Sequence, residues 1–188
     1  MIDSLCDQAA GKDIAVVGLY CDFLAQQEQS TTAMLGAILK QLASREGIPG
    51  PIWEAFKKSK KEFGSRRLRL PHMVEILKKT ITPLQRVYLC IDALDESIPE
   101  DRRELLSSLR KIVWVSPNIR IFLAGRPYID DEIVEFFSNA IRIPISPTQG
   151  DIKSYLKMRL KGDTTPEAMD AELRADIMRV IPEKISEM

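Results

Sequence analysis

Short apolar runs alternate along the chain with longer segments in which apolar residues recur at helical spacing. Three runs are continuously apolar or nearly so, as strands buried on both faces are: residues 14–20, 87–91 and 119–124. A fourth strand is predicted at residues 140–145. Strands that alternate with amphipathic helices indicate βαβ units. The pattern therefore predicts an α/β fold, with a parallel sheet that is covered on both faces.

The helices between these strands are predicted from apolar stripes and from residues that commonly begin or end a helix. The first covers residues 1–10 and ends at Gly11, and another begins after Ser30. Ser97 and Glu100 form a capping-box pattern at the start of the helix that follows the second strand. The remaining helices are predicted over residues 51–63, after Pro71, and over residues 129–137, 148–160 and 166–181.

Three acids follow the second predicted strand: Asp92, Asp95 and Glu96. Ligands of parallel sheets bind at the carboxyl ends of the strands. An apolar run followed at once by an acid is the pattern of a Walker B element, whose carboxylate holds Mg²⁺, usually through water. A second acid one turn further on can orient or deprotonate an attacking water. The alternative is that Asp92 and Asp95 form a turn and that Glu96 is merely solvated.

The other two strands also end in polar residues. Arg126 follows the third strand, where it could contact a terminal phosphate, and the alternative is an exposed arginine in a Gly-Pro turn. Asp22 follows the first strand and is interpreted as a loop residue or a helix cap. The sequence contains no G-x-x-x-x-G-K-[ST] motif. Its one Gly-Lys pair, Gly11-Lys12, precedes a strand instead of following one, which excludes it as a phosphate-binding loop.

Composition and charge narrow the classes of function. The chain has 188 residues, with 27 Lys+Arg and 27 Asp+Glu, so its net charge of zero disfavours a general affinity for nucleic acid or anionic membranes. Three widely spaced cysteines without a C-x-x-C pair fit reduced thiols in the cytoplasm, and neither a disulfide framework nor a zinc site. No apolar stretch approaches the roughly 20 residues that span a membrane.

A basic cluster and a single histidine are the remaining candidates. The cluster extends from Lys57 to Arg69 with Glu62 as its one acid. A solvated helix face is favoured over a nucleic-acid or phosphoinositide site, because the chain is neutral and aromatic residues are not interleaved. His72 lies beside Pro71 at a predicted helix start, and we expect a surface residue there instead of a catalytic base or a metal ligand.

Taken in order, the strand-end motifs resemble those of the NACHT domain. They are Tyr20-Cys21-Asp22-Phe23, the segment VYLCIDALDE at residues 87–96, and Phe122-Leu123-Ala124-Gly125-Arg126-Pro127. They are most similar to the NACHT modules of fungal receptor-like proteins, which are often joined to ankyrin or WD40 repeats. Residues 151–156 are similar to the first lid helix of that family. The resemblance implies a three-layer fold related to P-loop NTPases, with a sheet domain at residues 1–146 and the start of a helical lid at 147–188.

The resemblance also implies a function. The family is a class of regulatory (STAND) NTPases, in which ATP or GTP with Mg²⁺ sets a molecular switch in proteins of innate-immunity-like or heterokaryon-incompatibility-like signalling. It implies Asp92 as the acid that binds Mg²⁺ through water and Arg126 as the sensor of the nucleotide phosphate. It implies Asp95 and Glu96 as catalytic acids that act on the hydrolytic water. The implied partners are proteins or repeat domains, together with self-association, and not membranes or nucleic acid.

This sequence departs from the family at the phosphate-binding loop. In the family, a Walker A loop and the central strand leading into it precede the helix at residues 1–10, and this chain contains neither. Whether the chain hydrolyses NTPs is therefore left open, and we expect residues 1–188 to bind Mg-ATP with a Kd of roughly millimolar or weaker. We also expect exposed strand edges that promote aggregation. The alternative function is a nucleotide-free protein-interaction module of the same fold.

Overall fold

The computed structural model of the chain describes residues 2–9, 13–44, 69–162 and 169–186. The chain divides into two compact units, Met1–Ala140 and Ile141–Met188. Three sequence features lie outside the described residues: the helix predicted over residues 51–63, the basic cluster from Lys57 to Arg67, and the pair Gly11-Lys12.

The first unit is built on a parallel sheet of three strands in the order β1-β2-β3. The strands are β1 (Ile14–Tyr20), β2 (Arg86–Asp92) and β3 (Ile119–Leu123). Their register places Val17 beside Leu89 and Leu89 beside Ile121. The three long apolar runs therefore form the strands that the sequence predicts, and the α/β fold class is confirmed.

Five helices of the first unit accompany this sheet among the described residues. Alternate strand residues such as Val17, Leu89 and Ile91 are almost completely buried in a core that they share with α2, α3 and α4. Both faces of the central strand β2 are largely buried, which explains its continuous apolar run. Burial alternates along β1 and β3, so the second face of these outer strands is more exposed than the sequence predicts. The helices are α1 (Ile2–Ala9), α2 (Thr31–Ala43), α3 (Leu70–Ile81), α4 (Pro99–Val115) and α5 (Asp130–Phe136).

The start of α4 differs from the prediction. The helix has Ile98 as its N-cap, without a side-chain hydrogen bond, and Pro99 in its first turn. The hydroxyl of Ser97 donates to the carbonyl of Leu94 at 2.6 Å. The predicted capping box of Ser97 and Glu100 is therefore wrong, because Ser97 closes the preceding turn and proline, which needs no N–H partner, begins the helix.

The predicted fourth strand is also wrong. Residues 138–148 form neither helix nor strand, and Ile141, Ile143 and Ile145 are 90%, 73% and 91% exposed. The alternation of isoleucines over residues 141–145 suits an extended strand. A strand, however, also requires a neighbour for its backbone hydrogen bonds, and the described part of the chain places no strand beside this segment.

The second unit contains two packed helices, α6 (Gln149–Lys161) and α7 (Ala171–Ser186). Thr148 and Asp151 form a capping box at the start of α6, in which each side chain accepts a hydrogen bond from the backbone N–H of the other residue. Helix α7 begins at Ala171, later than predicted, and residues 163–168 before it lie outside the description. Among the described residues, no helix is both long enough and apolar enough to cross a membrane.

Candidate functional site

The candidate site lies where the three parallel strands end, and Asp92 occupies the end of the central one. The carboxylate of Asp92 is exposed, and its Oδ1 accepts the N–H of Ala93 at 2.9 Å. Ala93 has a φ of 52°, in the left-handed region that a residue with a Cβ atom adopts only at a cost. This conformation turns the chain sharply into a 3-10 turn, Leu94–Glu96, which carries the next two acids.

Asp95 connects this turn to the loop after β3. Its side chain is only 6% exposed, and its Oδ1 accepts the backbone N–H of Arg126 at 3.2 Å. Its Oδ2 lies 3.5 Å from Nε of Arg126 and 3.4 Å from the hydroxyl of Tyr128, which also donates to the Asp95 carbonyl. Gly125 permits the close approach, since a Cβ atom there would lie 2.7 Å from Ile129 and 3.3 Å from Asp95 Oδ1.

Glu96 connects the same turn to the loop after β1. Its Oε2 accepts the N–H of Phe23 at 3.1 Å, and its carbonyl accepts Nε2 of Gln26 at 2.6 Å. Phe23 begins a 3-10 helix, Phe23–Glu28, which the sequence analysis did not predict. Asp22 is the N-cap of that helix and accepts the N–H of Leu24, so its interpretation as a cap is confirmed.

Sequence reasoning missed a buried arginine behind these loops. The side chain of Arg102 is 8% exposed, and its Nε forms an ion pair at 2.9 Å with Oε2 of Glu132 in α5. Its Nη1 donates to the carbonyl of Ser97 at 3.0 Å and approaches that of Asp95 at 3.5 Å. The available signal was helical spacing, because Arg102 lies on the same face of α4 as the core residues Leu105, Leu106 and Leu109.

Negative charge dominates the carboxyl ends of the strands. Burial raises the pKa of the Cys21 thiol to about 11, with further contributions from the charges of Glu96, Asp92 and Asp95. The thiol therefore stays protonated at neutral pH, which argues against a nucleophilic role. Arg126 is the cation paired with this acidic group at the surface, and its side chain is 74% exposed.

The residues present fit a magnesium ion that is held mainly by water and phosphate. Asp92 offers an exposed carboxylate, and Mg²⁺ is often bound through one or two carboxylates with several waters retained. The described residues include no group of three or more His, Cys, Asp and Glu side chains that could hold a metal on their own. His72, in the first turn of α3, is exposed as expected for a surface residue.

The structure therefore brings all four predicted site residues, Asp92, Asp95, Glu96 and Arg126, to the carboxyl ends of β2 and β3. Their predicted catalytic, metal-binding and phosphate-binding roles stay predictions. The contacts of Asp95 and Glu96 add that each acid also links the central turn to a neighbouring loop.

Comparison with known families identifies the sheet unit. The profile of the family described as Nephrocystin 3, N-terminal, matches residues 1–126. The chain belongs to this family. The match to the nephrocystin 3 N-terminal family includes all three strands of the sheet and ends at Arg126, so it contains every candidate site residue.

Comparisons with individual proteins add little to the family assignment. A Walker-type ATPase of Pyrococcus abyssi is similar at 13% sequence identity and a TM-score of 0.44. The alignment covers 97% of this chain and 63% of that chain, so this member of the nephrocystin 3 N-terminal family spans less than two thirds of the ATPase's length. No curated protein matches the chain.

Proposed function

We propose that the chain carries the Walker B half of a nucleotide-dependent regulatory switch of the NACHT type. The observation that supports this most directly is an exposed acid, Asp92, at the end of a buried central strand, with Arg126 following the neighbouring strand. Asp92 would bind Mg²⁺ through water, and Arg126 would contact the terminal phosphate of ATP or GTP. When bound, Mg²⁺ would neutralise part of the negative charge of the phosphates.

The contacts of the two further acids suggest different roles for them. Asp95 is nearly buried and receives hydrogen bonds from the Arg126 backbone and from Tyr128, which favours a role in positioning Arg126. Oε2 of Glu96 accepts a hydrogen bond from the N–H of Phe23, whereas Oε1 accepts none from the described residues. That oxygen could orient an attacking water, which makes Glu96 the better candidate of the two for a general base.

A titration of residues 1–188 with Mg-ATP tests the proposal. The titration is monitored by ligand-observed NMR, because weak binding is expected. We expect a Kd of roughly 1 mM, or about −4 kcal/mol, and at least tenfold weaker binding in Asp92→Asn, which removes one charge on the metal side. Glu104→Gln is the matched control, since Glu104 is an exposed acid in the middle of α4. Equal weakening in both variants would contradict the proposal.

Hydrolysis is tested in a longer version of the chain that includes an upstream G-x-x-x-x-G-K-[ST] loop. In that longer chain, Glu96→Gln should slow turnover while nucleotide binding is retained. Asp95→Asn should weaken nucleotide binding, because Arg126 is then held less firmly. Unchanged turnover in Glu96→Gln would remove Glu96 from the mechanism.

A second candidate function is a protein-interaction module that does not use nucleotide. Large apolar side chains are exposed beside the acids, which favours contact with another protein. The same titration distinguishes the two functions, because a module of this kind would show no response to Mg-ATP that depends on Asp92. The exposed side chains are Tyr20, Phe23, Leu24 and Tyr128.

A further inference from the structure

Two sets of contacts hold the loop after β3, residues 124–129, to the central turn, Leu94–Glu96. The first set is made by Asp95. Its Oδ1 accepts the backbone N–H of Arg126 at 3.2 Å, and its Oδ2 lies 3.5 Å from Nε of the same arginine. These contacts act at the middle of the loop, and a different pair of side chains holds the end of the loop.

The second set is the ion pair of Arg102 and Glu132, which joins the central turn to the start of α5. Nε of Arg102 lies 2.9 Å from Oε2 of Glu132, a residue in the first turn of α5. Nη1 of Arg102 donates at 3.0 Å to the carbonyl of Ser97, the residue that ends the central turn. Because the donors of a guanidinium are fixed in one plane, the two contacts restrict both the distance and the direction between the turn and α5.

The segment between Arg126 and Glu132 is short and compact. Pro127–Ile129 form a 3-10 turn that leads directly into α5, and Ile129 is almost completely buried. A Cβ atom at Gly125 would lie 2.7 Å from Ile129, so the beginning of the loop is packed closely against its end. A displacement of α5 would therefore also displace Arg126.

Stability alone is a poor explanation of the Arg102–Glu132 pair. Arg102 lies on the same face of α4 as the core residues Leu105 and Leu109, where an apolar side chain would also pack. Burial removes both charges from water, and an apolar pair of similar volume often stabilises a protein at least as well. Oε1 of Glu132 is moreover buried without a hydrogen-bond partner among the described residues. What the ion pair provides beyond an apolar pair is a fixed geometry between the two elements that it joins.

We propose that Arg102 and Glu132 are positioning residues for Arg126. By tying the start of α5 to the central turn, the ion pair sets where the Arg126 guanidinium lies relative to Asp92, and thus whether one Mg-nucleotide can contact both residues. The ion pair is buried and acts through the loop after β3, so it needs no contact with the ligand. This inference rests on the proposed function and adds the side chains that prepare its phosphate contact.

Amide hydrogen exchange tests the positioning in the absence of nucleotide. The exchange rate of the Arg126 N–H is divided by that of the Ala124 N–H, which donates to the Ile91 carbonyl at 2.8 Å at the end of the sheet. This ratio separates local opening of the loop from opening of the whole unit. In the double variant, Arg102→Met with Glu132→Leu, the ratio should rise about tenfold, because the end of the loop is no longer tied to the central turn.

Binding of Mg-ATP and Mg-ADP to residues 1–188, measured by ligand-observed NMR, tests the consequence for a phosphate ligand. If Arg126 contacts the terminal phosphate of ATP, which ADP lacks, the chain should bind ATP several-fold more tightly than ADP. Arg126→Gln should remove this preference, and the double variant should lose it as well. Arg103→Met with Glu135→Leu is the matched control, because this pair joins the same two helices at the surface. The control should keep both the preference for ATP and the exchange ratio.

The binding measurements are made where every variant is fully folded, so a loss of stability alone leaves the preference for ATP unchanged. An unchanged exchange ratio in the double variant, or a preference for ATP that survives in it, would overturn the positioning role and leave the proposed function intact. An unmodified chain without a preference for ATP, or a preference that persists in Arg126→Gln, would contradict the phosphate contact of the proposed function, and this inference with it.

Discussion

Replacing Glu132 by leucine should lower the free energy of unfolding of the first unit by about 3 kcal/mol, because it leaves a guanidinium buried without its carboxylate. The Arg102 and Glu132 side chains are 8% and 14% exposed, so water can replace little of their 2.9 Å contact. The cost should fall at the low end of the range for buried pairs, since Arg102 keeps its hydrogen bond to the Ser97 carbonyl. Arg102→Met should cost a similar amount, because Glu132 already has one buried oxygen without a partner.

The double variant, Arg102→Met with Glu132→Leu, should lose less than the sum of the two single variants. Neither buried charge is then left alone, and an apolar pair of similar volume often replaces a buried ion pair at little cost. We expect a loss of about 2–3 kcal/mol, because the Ser97 carbonyl also loses its hydrogen bond from Arg102, and thus a coupling energy of about 3–4 kcal/mol.

Urea unfolding, monitored by circular dichroism, measures these free energies. The comparison requires that the slope of the free energy of unfolding against urea concentration is the same in all variants. The chain offers a matched control in Arg103 and Glu135, which join the same two helices at 2.8 Å with 49% and 56% of their side chains exposed. The corresponding variants of this exposed pair should show a coupling of less than about 1 kcal/mol. Additive losses at Arg102 and Glu132, or couplings of equal size in both pairs, would refute the argument.

Three further predictions follow from individual contacts. Gln41→Leu should destabilise the fold by about 2 kcal/mol in urea unfolding, since both hydrogen bonds to Gly18 are lost, whereas a loss near zero would show that water replaces them. Gly125→Ala should lower the thermal midpoint, with a cost of about 1–3 kcal/mol, because the new methyl group would overlap Ile129. Stability should fall as the pH rises through 9 towards 11, since the Cys21 thiol loses its proton more readily unfolded than folded, and Cys21→Ala should reduce that fall.

The strands could be predicted from sequence where burial alone decides them. The run at residues 14–20 is uncharged and mostly apolar, and it forms β1 with the predicted bounds. The isoleucines at residues 141–145 give an equally regular pattern, yet the segment is not a strand in the described chain. A local pattern indicates which side chains avoid water, whereas a strand also needs hydrogen-bonding partners, which are often distant in sequence.

The candidate site also has a part that could be predicted from sequence and a part that could not. Asp92 and Arg126 could be located because each follows a recognisable apolar run, and the end of a strand determines where the next residue lies. The pairing of Arg102 with Glu132 joins residues 30 positions apart on two helices. Helical spacing separates buried Arg102 from exposed Arg103, but no local signal specifies that Glu132 is the partner of Arg102.

The central turn, Leu94–Glu96, carries two adjacent acids that hold opposite neighbours: Asp95 holds the loop after β3, and Glu96 holds the loop after β1. A rotation of this turn would have to break hydrogen bonds on both sides at once. Small displacements at Asp92 are therefore resisted, whereas a large one would release both loops together. The loops after β1 and β3 are therefore coupled to each other through the turn that follows Asp92, although neither loop is adjacent to the other in sequence.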